Sequence, residues 1–266
     1  MKGAWLFLIG STALAGGLIW GLAAAARDEP PGAGGNVEPP LTLYCAASAR
    51  SVIESVLADY QAETGARVRV QYGASQHLLA TLQVSGAGDF YLPADAHYLD
   101  LAEERSLLRD RRPLAQMRVV VAVRPGNPKR IESFADLLRD DITLVQASPE
   151  SAAIGHVTRA ALTERGDWEP LRNATKAFRT TISEAANDVL AGAADAAIVY
   201  DAFLHTVALE SIPLPELAEV RSEVAVGTLS SSRNPEAARR LAQFLASPER
   251  GLKRLEEHGF DTRPIR

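Results

Sequence analysis

The sequence is poor in the residues that close disulfides, hold metal ions or neutralise nucleic acid. Its one cysteine, Cys45, has no partner for an intramolecular disulfide. The five histidines, His77, His97, His156, His205 and His258, lie at least twenty residues apart, which excludes zinc-type spacing. There is no basic excess either: 28 Lys and Arg stand against 33 Asp and Glu, a formal charge of -5. That balance does not neutralise a phosphate backbone, so no nucleic-acid partner is expected.

Apolar side chains are plentiful. Of the 266 residues 47% are hydrophobic and 23% charged, a composition neither disordered nor collagen-like and sufficient for one large core or two smaller ones. They are unevenly spread, because Ala4 to Ala26 is an uncharged run of 23 residues behind Lys2. Two readings of residues 1–27 stand side by side. A cleaved signal peptide is favoured by the small residues Ala23 to Ala26, and an uncleaved membrane anchor by a run long enough to span hydrocarbon. Lys2 holds the start inside and Arg27-Asp28-Glu29 carries no positive excess, so either way the remainder is exported, to a periplasmic or extracytoplasmic location. Residues 28–40, rich in Pro and Gly, read as a tether. From Leu41 onward 226 residues remain, enough for one large domain or two lobes.

In that part short apolar runs alternate with helical patterns: LTLYCAA before SARSVIESVLADYQAETG, VRVQYGA before SQHLLATLQVSG, DFYLPA before DAHYLDLAEERSLL. This is the pattern of βα units and a mainly parallel sheet. The β-branched run Met117 to Val123 reads as a buried strand leaving the first block, and a second αβ block spans Ile131 to Tyr200 with strands near 142–147 and 196–200. Ser222 to Leu229 is a late strand, followed by helices at 236–246 and 248–258. The simplest arrangement is an α/β fold of two lobes joined by two crossing strands. Residues 41–118 with 224–266 form one lobe, 119–223 the other, and a ligand cleft lies between them.

At four places a strand-like run leads into a helix through a small or hydroxyl residue: Ser48, Ser75, Gly155 and Ser183. An α-helix leaves its first N–H groups unpaired and positive, so an oxyanion can be held there without Lys or Arg. The plainer reading is that each serine caps its own helix. Tyr200 ends the strand AAIVY, either as a hydroxyl donor into the cleft or as a strand-end aromatic. Cys45 reads as a small core residue.

The order and spacing of LTLYCAAS, Tyr72-Gly73-Ala74-Ser75, GDFYLPADAHYLD, MRVVVAVRPGNP, ASPESAAIGHVTRAAL, DAAIVYDA and EEHGF give the chain a resemblance over residues 41–263. It resembles the periplasmic molybdate-binding proteins of ATP-binding-cassette transporters, within the type II periplasmic-binding-protein fold. The resemblance implies a non-enzymatic, monomeric solute-binding protein without cofactor. Such a protein captures molybdate or tungstate and delivers it to a permease in the inner membrane. It also implies a ring of donors: the hydroxyls of Ser48 and Ser75, backbone amides at Ile154 with neighbouring Gly155 and at Ile182, and the hydroxyl of Tyr200. No side chain in that ring is a direct cation ligand. Two departures from the family pattern are Ala153-Ile154-Gly155 in place of Pro-Ala-Gly, and Glu184 close behind Ile182. If Glu184 faces the ligand it opposes an anion; if it faces solvent it supports its own helix.

Two rival readings remain. One is another oxyanion or small anionic solute on the same scaffold. The other is a serine hydrolase with Ser75 in an elbow-like Gly73-Ala74-Ser75-Gln76-His77, with Asp201 and His258 nominated as acid and base.

Overall fold

In the computed structural model the described residues are 39–264, so residues 1–27 and most of the tether lie outside them. The strands are β1 (Leu41–Ala46), β2 (Val68–Gly73), β3 (Phe90–Leu92), β4 (Leu108–Val123), β5 (Leu144–Ala147), β6 (Thr175–Arg179), β7 (Ala196–Tyr200), β8 (Glu210–Ile212) and β9 (Arg221–Leu229). The helices are α1 (Arg50–Thr64), α2 (Ser75–Ser85), α3 (His97–Glu104), α4 (Phe134–Leu137), α5 (Ala153–Arg165), α6 (Trp168–Ala174), α7 (Ile182–Leu190), α8 (Pro235–Leu245) and α9 (Gly251–Glu257).

The strands run in the order β2-β1-β3-β9-β4-β7-β5-β6, with β8 beside β4. β1 pairs in parallel with β2 and β3, and β5 with β6 and β7. Where β9 and β4 join these two sets the pairing is antiparallel, so the sheet is mixed rather than mainly parallel. The reason lies in β4, which runs 16 residues where only Met117 to Val123 reads as strand from sequence. Its first half, LRDRRPLAQ, is half exposed and charged, so no continuous apolar run announces it.

β4 changes partner along its length. Up to Arg118 it pairs with β9, and from Val119 it pairs with β7, with Val119 N–H bonded to Val220 C=O at 3.0 Å. β4 and the segment entering β9 at Arg221 are thus the two crossings between halves of the molecule, a two-lobed architecture with its cleft between the lobes. Arg118 ties this crossing to the end of β7, its N–H and Nε donating to the two Asp201 carboxylate oxygens at 2.9 Å each.

Helices cover the sheet through one apolar face each. In α1 the buried positions are Val52, Ile53, Val56 and Tyr60, and the helix stops at Gly65, whose φ of 71° a side chain would resist. Tyr60 meets Phe244 of α8 edge to face, 5.1 Å between ring centroids. Cys45 is fully buried in β1, and burial pushes its thiol far above the ordinary range, which leaves it an inert core residue. Among the described residues no helix is long and apolar enough to cross a membrane.

Candidate functional site

Both parallel sets aim their carboxyl ends at the same place, as open α/β sheets do at a crevice. β1 leads into Ala47 and Ser48, β2 into Ala74 and Ser75, and β3 into Ala94; across from them β5 and β6 lead to Ala153, Ile154 and Ile182, and β7 ends on Tyr200. These residues, with Gly73, line one cavity. Its volume is about 20 Å³, a little above the roughly 10–15 Å³ that one ordered water requires, so only a compact ligand fits this closed form. The lining carries no charged side chain.

The serine hydroxyls are not spent on capping. Ser48 sits in a short 3-10 turn, Ala47–Ala49, and its Oγ is sealed from solvent with no hydrogen-bond partner in the protein. Ser75 is the first residue of α2, whose cap position is Ala74 with no side-chain cap bond. Its Oγ accepts from Ala94 N–H at 3.2 Å, which leaves the hydroxyl proton uncommitted, and its carbonyl accepts from the Tyr91 hydroxyl at 2.7 Å. Opposite, α5 follows Ala152, which has no side chain able to cap, so the N–H groups of its first turn have no local acceptor.

α7 differs. Its cap is Thr181 rather than Ser183, and Thr181 Oγ1 accepts from Glu184 N–H at 3.2 Å while the Glu184 carboxylate accepts from Thr180 N–H at 2.9 Å. Glu184 is exposed, lies outside the cavity lining and braces its own helix start.

Of the six residues singled out from sequence, Ser48, Ser75, Ile154, Ile182 and Tyr200 come together at the cavity, and Gly155 does not. Gly155 has a packing role instead. A Cβ there would stand 2.5 Å from Ala147 C=O and 2.6 Å from Pro149 N, so its bare Cα lets α5 lie against the loop that follows β5.

Tyr200 is buried, and its hydroxyl lies 2.6 Å from Ser222 Oγ. Burial first, then the nearby Asp95 charge, holds its phenol well above the ordinary value, so it stays protonated. From sequence Ser222 is only the start of a late strand, and Asp95 is not singled out as a site residue. One is a buried polar residue in β9 and the other stands in the loop after β3, and no local pattern links two residues so far apart in the chain.

A backbone hydrogen bond and ring contacts bridge the cleft. Gln76 N–H, in the first turn of α2, donates to Ser151 C=O ahead of α5 at 3.2 Å. His97 of α3 and His156 of α5 stack face to face, 4.3 Å between centroids with 4° between planes.

The hydrolase reading fails on geometry. Asp201 is held by Arg118 and by Ala202 N–H, His258 Nδ1 lies 2.9 Å from Arg254 C=O, and neither lines the cavity with Ser75. Among the described residues no group of three or more His, Cys, Asp or Glu is placed to hold a metal ion.

The sequence pattern of the family described as bacterial extracellular solute-binding protein matches residues 41–261. The chain belongs to this family. A curated relative, the molybdate-binding protein ModA of Mycobacterium tuberculosis (strain ATCC 25618 / H37Rv), is 26% identical over 251 residues, covering 91% of this chain and 94% of that protein. Among solved structures, the periplasmic molybdate-binding protein of Azotobacter vinelandii superposes with a TM-score of 0.71 at 16% identity, covering 83% of this chain and 98% of the other. The sulfate-binding protein SubI of Mycobacterium tuberculosis H37Rv superposes with a TM-score of 0.75 at 19% identity, covering 85% and 88%. The family, the curated relative and the similar structures are described as binding proteins rather than enzymes, and this chain is a solute-binding protein of that family.

Proposed function

We propose that the protein captures molybdate or tungstate outside the cytoplasm and delivers it to an ATP-binding-cassette permease in the inner membrane, acting as a monomer without a cofactor. As a solute-binding protein of such a transporter it has a small ligand and a permease as partners. In this reading Ser48, Ser75 and Tyr200 donate hydroxyl protons, the first-turn amides at Ile154 and Ile182 donate N–H groups, and export depends on residues 1–27. The lobes are 41–118 with 224–266, and 119–223.

The observation that carries the reading is the Ser48 hydroxyl, buried without a partner at a cavity that contains no charged side chain and is rimmed by helix starts. A buried hydroxyl left unpaired costs about 1–3 kcal/mol, which a ligand oxygen offsets. Molybdate and tungstate carry two charges and no proton at neutral pH, so a ring of donors suits them. Phosphate retains a proton and gains from an acceptor. Sulfate has the same charge in a smaller tetrahedron, and each donor left out of reach costs about 1–3 kcal/mol, so size separates it while leaving molybdate and tungstate alike.

The likeness to a sulfate-binding protein favours one second reading, capture of another tetrahedral oxyanion on the same scaffold. Calorimetry with molybdate, tungstate, sulfate, phosphate and ferric citrate decides between them. Tight binding of the first two alone is the expected result, and tight binding of sulfate with neither of the first two gives the site to the second reading.

A further inference from the structure

Behind Tyr200 lies a polar cluster that does not line the cavity. The Tyr200 hydroxyl is 2.6 Å from Ser222 Oγ, and either atom is able to donate. Beyond them is Asp95, whose carboxylate accepts from His97 N–H at 3.0 Å and is also faced by the Ser222 hydroxyl and Glu223 N–H. Tyr200, Ser222 and Asp95 are each more than nine-tenths buried.

We propose that Ser222 and Asp95 are specificity-determining residues that fix whether the Tyr200 hydroxyl offers its proton or a lone pair to an anion in the cleft. The proposal rests on reading the cleft as an oxyanion site.

The argument is a count of protons. Each hydroxyl has one to give. With Asp95 ionised, Ser222 donates to the carboxylate, Tyr200 donates to Ser222, and the Tyr200 oxygen faces the cleft as an acceptor. With Asp95 protonated, the carboxyl donates to Ser222, Ser222 donates to Tyr200, and the phenolic proton is delivered to the anion. An anion without a proton selects the second arrangement and takes one proton from solvent onto Asp95. An anion that keeps a proton is able to donate it to Tyr200 in the first arrangement. The relay therefore favours molybdate at lower pH and hydrogen phosphate at higher pH.

The surroundings are compatible with this exchange. Burial raises the Asp95 carboxyl above its ordinary range, against the lowering effects of His97, Ser222 and Glu223 N–H. A doubly charged anion nearby adds a like charge in a site of low dielectric and raises it further. The other titratable groups facing this cluster are Tyr98 of α3 and Tyr200 of β7, with His156 and Arg159 of α5 beyond His97 and Tyr98. Burial holds the His156 pKa below its ordinary value, so that ring stays neutral between pH 7 and 9, and loss of proton uptake in Asp95→Asn is what assigns the proton to Asp95.

Titration calorimetry with molybdate at pH 7 to 9, in buffers of different ionisation enthalpy, tests the relay. The unaltered protein is expected to take up close to one proton per anion, with Kd weakening by up to about tenfold per pH unit. In Asp95→Asn the amide donates to Ser222 at every pH, so proton uptake falls to zero and the pH slope disappears. Ser222→Ala removes the competitor for the Tyr200 proton and is expected to bind molybdate with the same flat profile. A merely structural role for Asp95 weakens binding equally at every pH and keeps the slope. Molybdate binding without proton uptake in the unaltered protein, or with unchanged uptake in both variants, overturns the relay and leaves the oxyanion site standing. No heat with molybdate, tungstate, sulfate or phosphate overturns the oxyanion site and the relay with it.

Discussion

Ser48 is the residue at which stability and function pull in opposite directions. Its Oγ is buried and unpartnered when the cleft is shut, so removing it relieves a desolvation cost in the closed form while deleting a ligand contact. Ser48→Ala is therefore expected to leave the ligand-free melting temperature unchanged or higher. It is also expected to weaken oxyanion binding by about 1.5–3 kcal/mol, the range for a hydrogen bond to a charged group. Thermal denaturation without ligand and calorimetry with it read the two effects separately; a lower melting temperature with full affinity would show the hydroxyl to be structural. Ser75 lacks this split signature, because its Oγ also accepts from Ala94 N–H, and Ser75→Ala is expected to lose stability as well as affinity. From sequence the two serines look alike, since each follows a strand and precedes a helix. The difference is tertiary: the loop after β3 reaches one and not the other.

At the scale of elements, the helix starts behave differently from one another, and Glu184 is the informative case. Its position two residues beyond Ile182 leaves its direction open in the sequence, and α7 resolves it by turning the carboxylate back onto Thr180 N–H. Glu184→Gln is expected to keep anion affinity within about twofold, a difference of a few tenths of a kcal/mol. A gain of tenfold or more would show the carboxylate opposing the ligand. The facing pair of helices α3 and α5 carries a second device. Burial first, then the charges of His97 and Arg159, lowers the His156 pKa below its ordinary value of about 6.5. Above that value His156 is neutral whether or not the helices are stacked, and it contributes nothing to pH dependence. Below it an unstacked His156 takes up a proton that the stacked one refuses, so the stack loses relative stability until the lowered pKa is passed. Anion affinity is expected to fall on acidification below about pH 6.5, and His156→Gln to remove that acid limb while leaving the limb above pH 7 intact. A titration between pH 5.5 and 7.5 measures it, and an acid limb unchanged in the variant would assign it elsewhere. Strands with a buried, β-branched run such as β7 were legible from the sequence because burial on both faces leaves a continuous apolar stretch. Half-exposed β6, TKAFR, was not, because its alternation is too short and too charged to stand out from a loop.

The whole molecule adds the crossings. The chain passes between the halves at Arg118 and Val119 of β4 and again at Val220 and Arg221, and the cavity lies where both parallel sets end. Among the described residues the contacts that hold the halves together across the cleft are modest, and include one Gln76 to Ser151 hydrogen bond, the His97–His156 stack and the edge contact of Tyr98 with His156. A single net hydrogen bond contributes about 0.5–1.5 kcal/mol, too little to fix one form against the entropy of separation. A ligand contacted from both halves supplies the remainder, because donors at Ser48 and Ser75 on one side and at Ile154 and Ile182 on the other are satisfied together only when the cleft is shut. At a free concentration of 100 times Kd the ligand adds about 2.7 kcal/mol, roughly 5–10 °C in melting temperature for a chain of this length. Small-angle scattering with saturating molybdate is expected to show a smaller radius of gyration than without it. A melting shift with no change in radius would mean that the cleft is already shut before the anion arrives, and closure would then carry no signal for a membrane partner to read.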